Sequence, residues 1–246
     1  NGKKIFGTMA PVADVLLVSV TYPDPRGERY GFIQVPAGTP GVVIHDDWDA
    51  LGMRTSGSNS VSFHDVLVDA SALIGGFPAG SAVGYIERNL SAGAFHAAAC
   101  LGVAEMAHLE VCAMLRRRSD GWTDGMSDAL VADNELDLHI SRAALSRAGH
   151  AIDDHHADHP GRTAPEDAIL DTFSEVQATK AVMSAACMRI VDRALVLSGG
   201  SGYKAGTRLA RAVGDVRAVM FMNPLSSTRA SAWLADRALG RAVRLR

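Results

Sequence analysis

The chain has 246 residues, of which 48% are hydrophobic and 21% charged, and its formal net charge at pH 7 is -3. That length buries a sizeable core without disulfides or metals, and the balance is that of an ordinary soluble globular protein. It argues against binding to nucleic acid, since the lysines are only Lys3, Lys4, Lys180 and Lys204 and the arginines are scattered along the chain.

The three cysteines, Cys100, Cys112 and Cys187, fall in apolar helical stretches without a CxxC pair, as expected of buried thiols in a reducing compartment. No charged-then-apolar leader opens the sequence, and its longest unbroken apolar runs are far shorter than the roughly 20 residues that cross a bilayer. A cytoplasmic protein without a membrane span is therefore expected. A sequence that opens at Asn1 and runs straight into a strand pattern is expected to be part of something longer.

Residues 1 to about 75 carry strand signals. Residues 14–22 are rich in Val and Leu, Pro23-Asp24-Pro25-Arg26-Gly27 reads as a turn, and residues 30–35 complete a hairpin. Residues 41–45 and 60–68 read as two further strands, the latter with Val61 and Phe63 alternating with Ser62 and His64. A small, mostly antiparallel β domain follows, ended by the breaker Gly75-Gly76-Phe77-Pro78.

From residue 76 the period changes to 3.6. Ile86, Leu90, Ala94, Ala97, Leu101 and Ala104 form one stripe of a helix that reaches about Arg118. A second helix is predicted over residues 128–155 and a third over 166–198, stopped by Gly199-Gly200-Ser201-Gly202. A fourth spans 207–239 with a break at Asn223-Pro224, because proline removes a helix donor and clashes with the preceding turn. The expected class is α+β: a β domain over 1–75, then an antiparallel four-helix bundle over 76–246.

Local motifs carry a resemblance. Gly2-Lys3-Lys4-Ile5-Phe6-Gly7-Thr8, Leu51-Gly52-Met53-Arg54 with Val61-Ser62-Phe63-His64-Asp65-Val66 after it, Arg88 before a small-residue run, and Ser198-Gly199-Gly200-Ser201-Gly202-Tyr203 occur in this order. Together they resemble the acyl-CoA dehydrogenase family over essentially the whole chain. The family's N-terminal helical domain and early β motif would lie before Asn1.

The resemblance implies a bound FAD, with Phe6 and Thr8 at the isoalloxazine ring and Gly199 and Gly200 near the cofactor. It places Arg117 near a partner subunit's pyrophosphate, and Ser226 and Ser227 in the adenosine-side loop. It implies an acyl-CoA or acyl-carrier thioester substrate, an electron-transfer flavoprotein or other acceptor, and a homodimer or homotetramer in acyl thioester metabolism. The sequence departs from the family at Val196, where a Gln is common, and at Asp120 and Gly121 after the arginine run.

Dehydrogenation of an acyl thioester needs a base for the α-proton. The family's usual glutamate position is here Asn223, whose amide cannot accept a proton, although its backbone N–H is expected to polarise a thioester carbonyl. Some members carry the glutamate just before the arginine of the first long helix, where this sequence has Glu87-Arg88. Glu87 is thus the expected base, with Arg88 and Ser91 as substrate contacts. Helix-terminal roles for Glu87 in a first turn, for the glycine pair as a C-cap and for the serines as N-caps are the competing structural readings. His96, among alanines, reads as a core or flavin-edge histidine.

The polar run from Asp153 to His159 has metal-ligand residue types but reads as a solvated linker, so no metal is expected. A flavin-dependent monooxygenase on the same fold is one alternative function. A degenerate subunit of a hetero-oligomer is another.

Overall fold

The computed structural model describes residues 1–118 and 124–243. The chain divides into two compact units, Asn1–Tyr85 and Ile86–Arg246.

The first unit holds two three-stranded antiparallel sheets. One has β1 (Gly2–Gly7) and β4 (Val42–Ile44) on either side of β5 (Asn59–Phe63). The other has β2 (Val15–Asp24) and β6 (Leu73–Pro78) on either side of β3 (Gly27–Pro36). Ala10, Val18, Val35, Val61 and Phe63 form its buried core. The β2–β3 hairpin lies where the turn residues put it, with only Pro25 and Arg26 between paired Asp24 and Gly27.

Two sequence expectations change here. The strand read over 60–68 stops at Phe63, because Asp65 takes a left-handed conformation (φ 48°) that ends the ladder. The supposed breaker is itself β6, paired with β3. Gly76 belongs in that strand because a Cβ there would stand 1.5 Å from the Tyr30 carbonyl oxygen. Glycine permits that backbone approach, which is a reason for its presence inside a strand.

The chain from Ala82 onward is helical, and the boundary between the units falls inside its first helix. The predicted first helix is two, α1 (Ala82–Arg88) and α2 (Ala92–Arg117), joined by a turn at 89–91. Next come α3 (Gly125–Asp158) and α4 (Glu166–Ser198), capped by the Asp124 carboxylate on the Ser127 N–H and begun after Pro165 respectively. The fourth predicted helix is in pieces: α5 (Gly200–Tyr203), α6 (Arg208–Asp215), a short 3₁₀ turn (Ala218–Met220) and α7 (Ser227–Ala238). Small residues on α2, such as Ala97, Ala104 and Ala107, let it approach α4, where Met183, Ile190, Val191 and Ala194 are buried.

Length and composition make α2 apolar enough to cross a bilayer, which short unbroken runs had not suggested. Its inner stripe is the centre of the bundle core. The run from Asp153 to His159, read as linker, mostly continues α3. His155 there is buried, with Nδ1 3.1 Å from the Thr172 hydroxyl. Among the described residues no group of three or more His, Cys, Asp or Glu is placed to hold a metal.

Candidate functional site

In the first unit, β1 and β5 lose register between Lys4 and Gly7, and Phe6 occupies that bulge with φ 59°. A left-handed backbone costs a bulky residue on the order of 1–2 kcal/mol, and such strain gathers at functional sites. Phe6 is 67% exposed all the same, its ring edge-on to Trp48 with centroids 6.2 Å apart. Trp48 is held by its Nε1–H, which donates to the Met53 carbonyl at 3.1 Å, so the Leu51-Gly52-Met53-Arg54 loop supports the aromatic pair. Beside it the Thr8 hydroxyl lies 3.0 Å from that of Ser58, and Ser58 lies 2.8 Å from Ser56. An open aromatic face next to a chain of hydroxyls suits a flat heteroaromatic ring with polar edges, so this surface fits a flavin.

In the second unit, the segment 222–225 is held by a buried lysine. Lys180, only 2% exposed, donates from Nζ to the carbonyls of Met222, Asn223 (3.4 Å) and Leu225 (2.8 Å). An ammonium has three donors, and three carbonyls surround it. Burial pulls its pKa down to about 8, which leaves it charged at neutral pH. Sequence reasoning gives this residue no role, yet a lone lysine within the apolar stretch of α4 was the signal available.

The Asn223 carbonyl has a second partner, His96 Nδ1, at 2.9 Å. Burial holds His96 below the usual histidine pKa, the Asn223 carbonyl pulls the other way, and the Lys180 charge adds to the lowering. The Asn223–Pro224 peptide is cis. Asn223 itself is exposed, and its backbone N–H donates to no described residue.

The other predicted residues fall as follows. Glu87 is half-buried in the last turn of α1, not a first turn. A helix C-terminus disfavours a carboxylate, so the N-terminal stabilising role is lost, and the side chain has no hydrogen-bond or ion-pair partner among the described residues. Arg88, the last residue of α1, is also half-buried. Ser91 lies across the turn from Glu87 rather than on one continuous helix, is exposed, and stands at the α2 N-cap without a side-chain capping bond.

Gly199 ends α4 with φ 61° and ψ −157°, a conformation reserved for glycine, and the space around both Gly199 and Gly200 is open. Arg118 donates to the Leu197 (3.3 Å) and Ser198 (3.2 Å) carbonyls, bringing the end of the arginine run to the glycine turn. Arg117 is exposed and forms no ion pair among the described residues. Ser226 is the α7 N-cap by position, yet its hydroxyl faces Thr228 at 3.3 Å and caps no backbone N–H; Ser227 begins the helix. Val196 is exposed, and Asp120 and Gly121 lie outside the described residues.

Residues 83–223 match the model of the acyl-CoA dehydrogenase C-terminal domain. The chain belongs to the acyl-CoA dehydrogenase family. Among its relatives is the amino sugar nitrososynthase DnmZ of Streptomyces peucetius, 32% identical over 98% of this chain and 59% of its own length. Cyclohex-1-ene-1-carbonyl-CoA dehydrogenase of Geobacter metallireducens is 29% identical over 88% of this chain and 55% of its own length. A solved structure of KijD3 with FMN and dTDP-3-amino-2,3,6-trideoxy-4-keto-3-methyl-D-glucose superposes at TM-score 0.91 with 29% identity, covering 98% of this chain and 59% of that one. The chain thus spans a little over half the length of these relatives.

Proposed function

We propose that this acyl-CoA dehydrogenase family chain is the flavin-facing part of a flavin-dependent oxidoreductase that oxygenates the amino group of a nucleotide-linked amino sugar. The observation that carries the reading is at Asn223: the family's usual base position holds an amide, and the carbonyl of that residue is already engaged by His96 and Lys180. Removing an α-proton from a thioester needs a base, and the position at which the family usually keeps it supplies none here. Two relatives support this choice by what they are, an amino sugar nitrososynthase and a protein that binds an amino keto sugar linked to dTDP.

Phe6 and Thr8 would seat the flavin ring. A reduced flavin, when bound, would supply the two electrons with which molecular oxygen gives one atom to the substrate nitrogen and the other to water. The carboxylate of Glu87, without a partner among the described residues, would pair with the substrate's ammonium and orient it, while Arg88 and Ser91 would contact the sugar nucleotide. The Asn223 N–H, which has no partner among the described residues, would hold a carbonyl oxygen of the substrate. We assign FMN in place of the FAD first expected, by the example of KijD3. Arg117, Gly199, Gly200, Ser226 and Ser227 would then have no adenosine half to bind. Mass spectrometry of flavin released from the purified protein separates the two cofactors.

The second reading, dehydrogenation of an acyl thioester with Glu87 as base and an electron-transfer flavoprotein as acceptor, is favoured by that same half-buried carboxylate, which has no partner among the described residues. The whole protein, given reduced FMN, oxygen and a dTDP-linked amino sugar, should form a product one oxygen atom heavier, with the gain dependent on oxygen. Anaerobic bleaching of the oxidised flavin by saturated acyl-CoAs, with no oxygenated sugar, would establish the dehydrogenase instead.

Phe6→Gly offers a check on the flavin surface. Relief of left-handed strain offsets the lost Trp48 contact and the added chain entropy, so thermal stability should change by about 1 kcal/mol or less. Flavin affinity should fall roughly tenfold through lost ring contact. Fluorescence titration with FMN reads this out, and unchanged affinity removes Phe6 from the site.

A further inference from the structure

We propose that His96 is the proton acceptor of this site, presenting an unprotonated Nε2 to the ammonium group of the amine substrate, and that Lys180 is the positioning residue that fixes it through their shared Asn223 carbonyl. The amine part rests on the function proposed above; the Lys180–His96 coupling does not.

The geometry dictates the tautomer. A carbonyl oxygen only accepts, so Nδ1, 2.9 Å from the Asn223 oxygen, must carry the hydrogen. In the neutral ring the lone pair then sits on Nε2, which has no partner among the described residues. A second proton on the ring is opposed by the ammonium of Lys180, which shares the same carbonyl. From α4, Lys180 is the charged group that bears on His96. The 221–226 segment, Phe221-Met222-Asn223-Pro224-Leu225-Ser226, has no charged side chain. On α2 itself His96 meets the Phe95 ring, with centroids 4.5 Å apart. The pairs that α2 makes with α3 and α6, Glu105–Arg142, His108–Glu135 and Glu110–Arg208, lie roughly 14, 18 and 21 Å along the helix by its rise per residue.

Three N–H donors on three carbonyls fix where the Asn223 oxygen stands, and that oxygen fixes the ring. The reaction step is a proton transfer alone. The N–H bond of the substrate ammonium breaks, its electron pair stays on nitrogen as the nucleophilic lone pair, and the proton forms a new N–H bond at His96 Nε2. The amine produced is the form that oxygen transfer requires.

Nitrogen-15 spectra of the whole protein, with His96→Gln used for assignment, should show His96 as the Nδ1–H tautomer. Its titration midpoint should rise in Lys180→Met. In turnover, the acidic limb of kcat/KM should move to higher pH in Lys180→Met, while His96→Gln should lose about 10²-fold or more in kcat/KM with FMN affinity unchanged. An Nε2–H tautomer, or a midpoint that ignores Lys180→Met, overturns the proposal. If Lys180→Met does not fold, the wild-type tautomer still decides it, and Lys180→Arg, which retains the charge, should leave the midpoint low. Should no amine be oxygenated at all, the proposed function fails, while the tautomer and midpoint still report on the coupling.

Discussion

Replacing Phe173 by alanine should cost about 3–5 kcal/mol of folding stability, read as a fall in the urea midpoint with unchanged slope. Phe173 on α4 is fully buried and meets the buried Trp233 of α7 edge-on, with ring centroids 5.1 Å apart and planes at 78°. Such a pair contributes roughly 0.5–1.5 kcal/mol beyond the area it buries. The Trp233 Nε1–H in turn donates to the Ser174 hydroxyl at 3.0 Å, which fixes the indole, and Arg237 pairs with Asp171 a helical turn further along. Truncation leaves a cavity that α7 cannot fill without leaving those bonds. Because α7 begins at Ser227 and follows directly on the segment that Lys180 holds, turnover should weaken with stability. A loss below about 1.5 kcal/mol would mean that the site collapses freely and that α7 is not fixed by this contact.

Asp137→Ala should destabilise the second unit by about 3 kcal/mol, the low end of what breaking a buried pair costs. Asp137 on α3 takes Arg189 at 2.5 and 3.1 Å and Arg193 at 2.6 Å, both from α4, and its side chain is 10% exposed. Removing it leaves the mostly buried Arg193 with only its longer contacts to Asp133 (3.7 Å) and Asn134 (3.5 Å), while Arg189 stays half in water and softens the loss. Burial alone would raise the Asp137 pKa, but the hydrogen bonds from the two guanidinium groups reverse that and hold it below its ordinary value. A depressed folded pKa means that the stabilisation is present above the unfolded value of roughly 4 and disappears as pH falls through the folded one. The wild type should therefore lose more stability than Asp137→Ala on acidification below about pH 4. Chemical denaturation at pH 7 and in the acid range checks both statements, and parallel acid curves would remove the ion pair from the account.

Much of the architecture was legible along the chain. Ile169, Phe173, Val176, Met183, Cys187 and Val191 recur at helical spacing, so α4 reads out nearly residue for residue; Pro165 before it and Gly199 after it mark its ends. The β2–β3 hairpin was legible for the same reason, since turn chemistry and alternating apolar residues are local. Strand β6 was not: Gly76 looks like a breaker until the Tyr30 carbonyl is seen beside it. The break at 89–91 was hidden by an apolar stripe that runs straight across it, and it took Glu87 out of the first-turn role that spacing had offered.

The candidate residues divide in the same way. Phe6, Thr8, Glu87 and Asn223 are nameable from motifs, because each lies within a few residues of a recognisable run. Sequence by itself determines that the usual base is an amide here, a matter of residue identity. That the Asn223 carbonyl is shared by His96 from α2 and Lys180 from α4 was decided by the tertiary structure alone. The three residues stand far apart in the chain, and hydrogen bonds to a backbone oxygen leave no mark on residue type. Only packing α2, α4 and the 222–225 segment together turns a histidine among alanines and a lysine in an apolar helix into partners on one carbonyl.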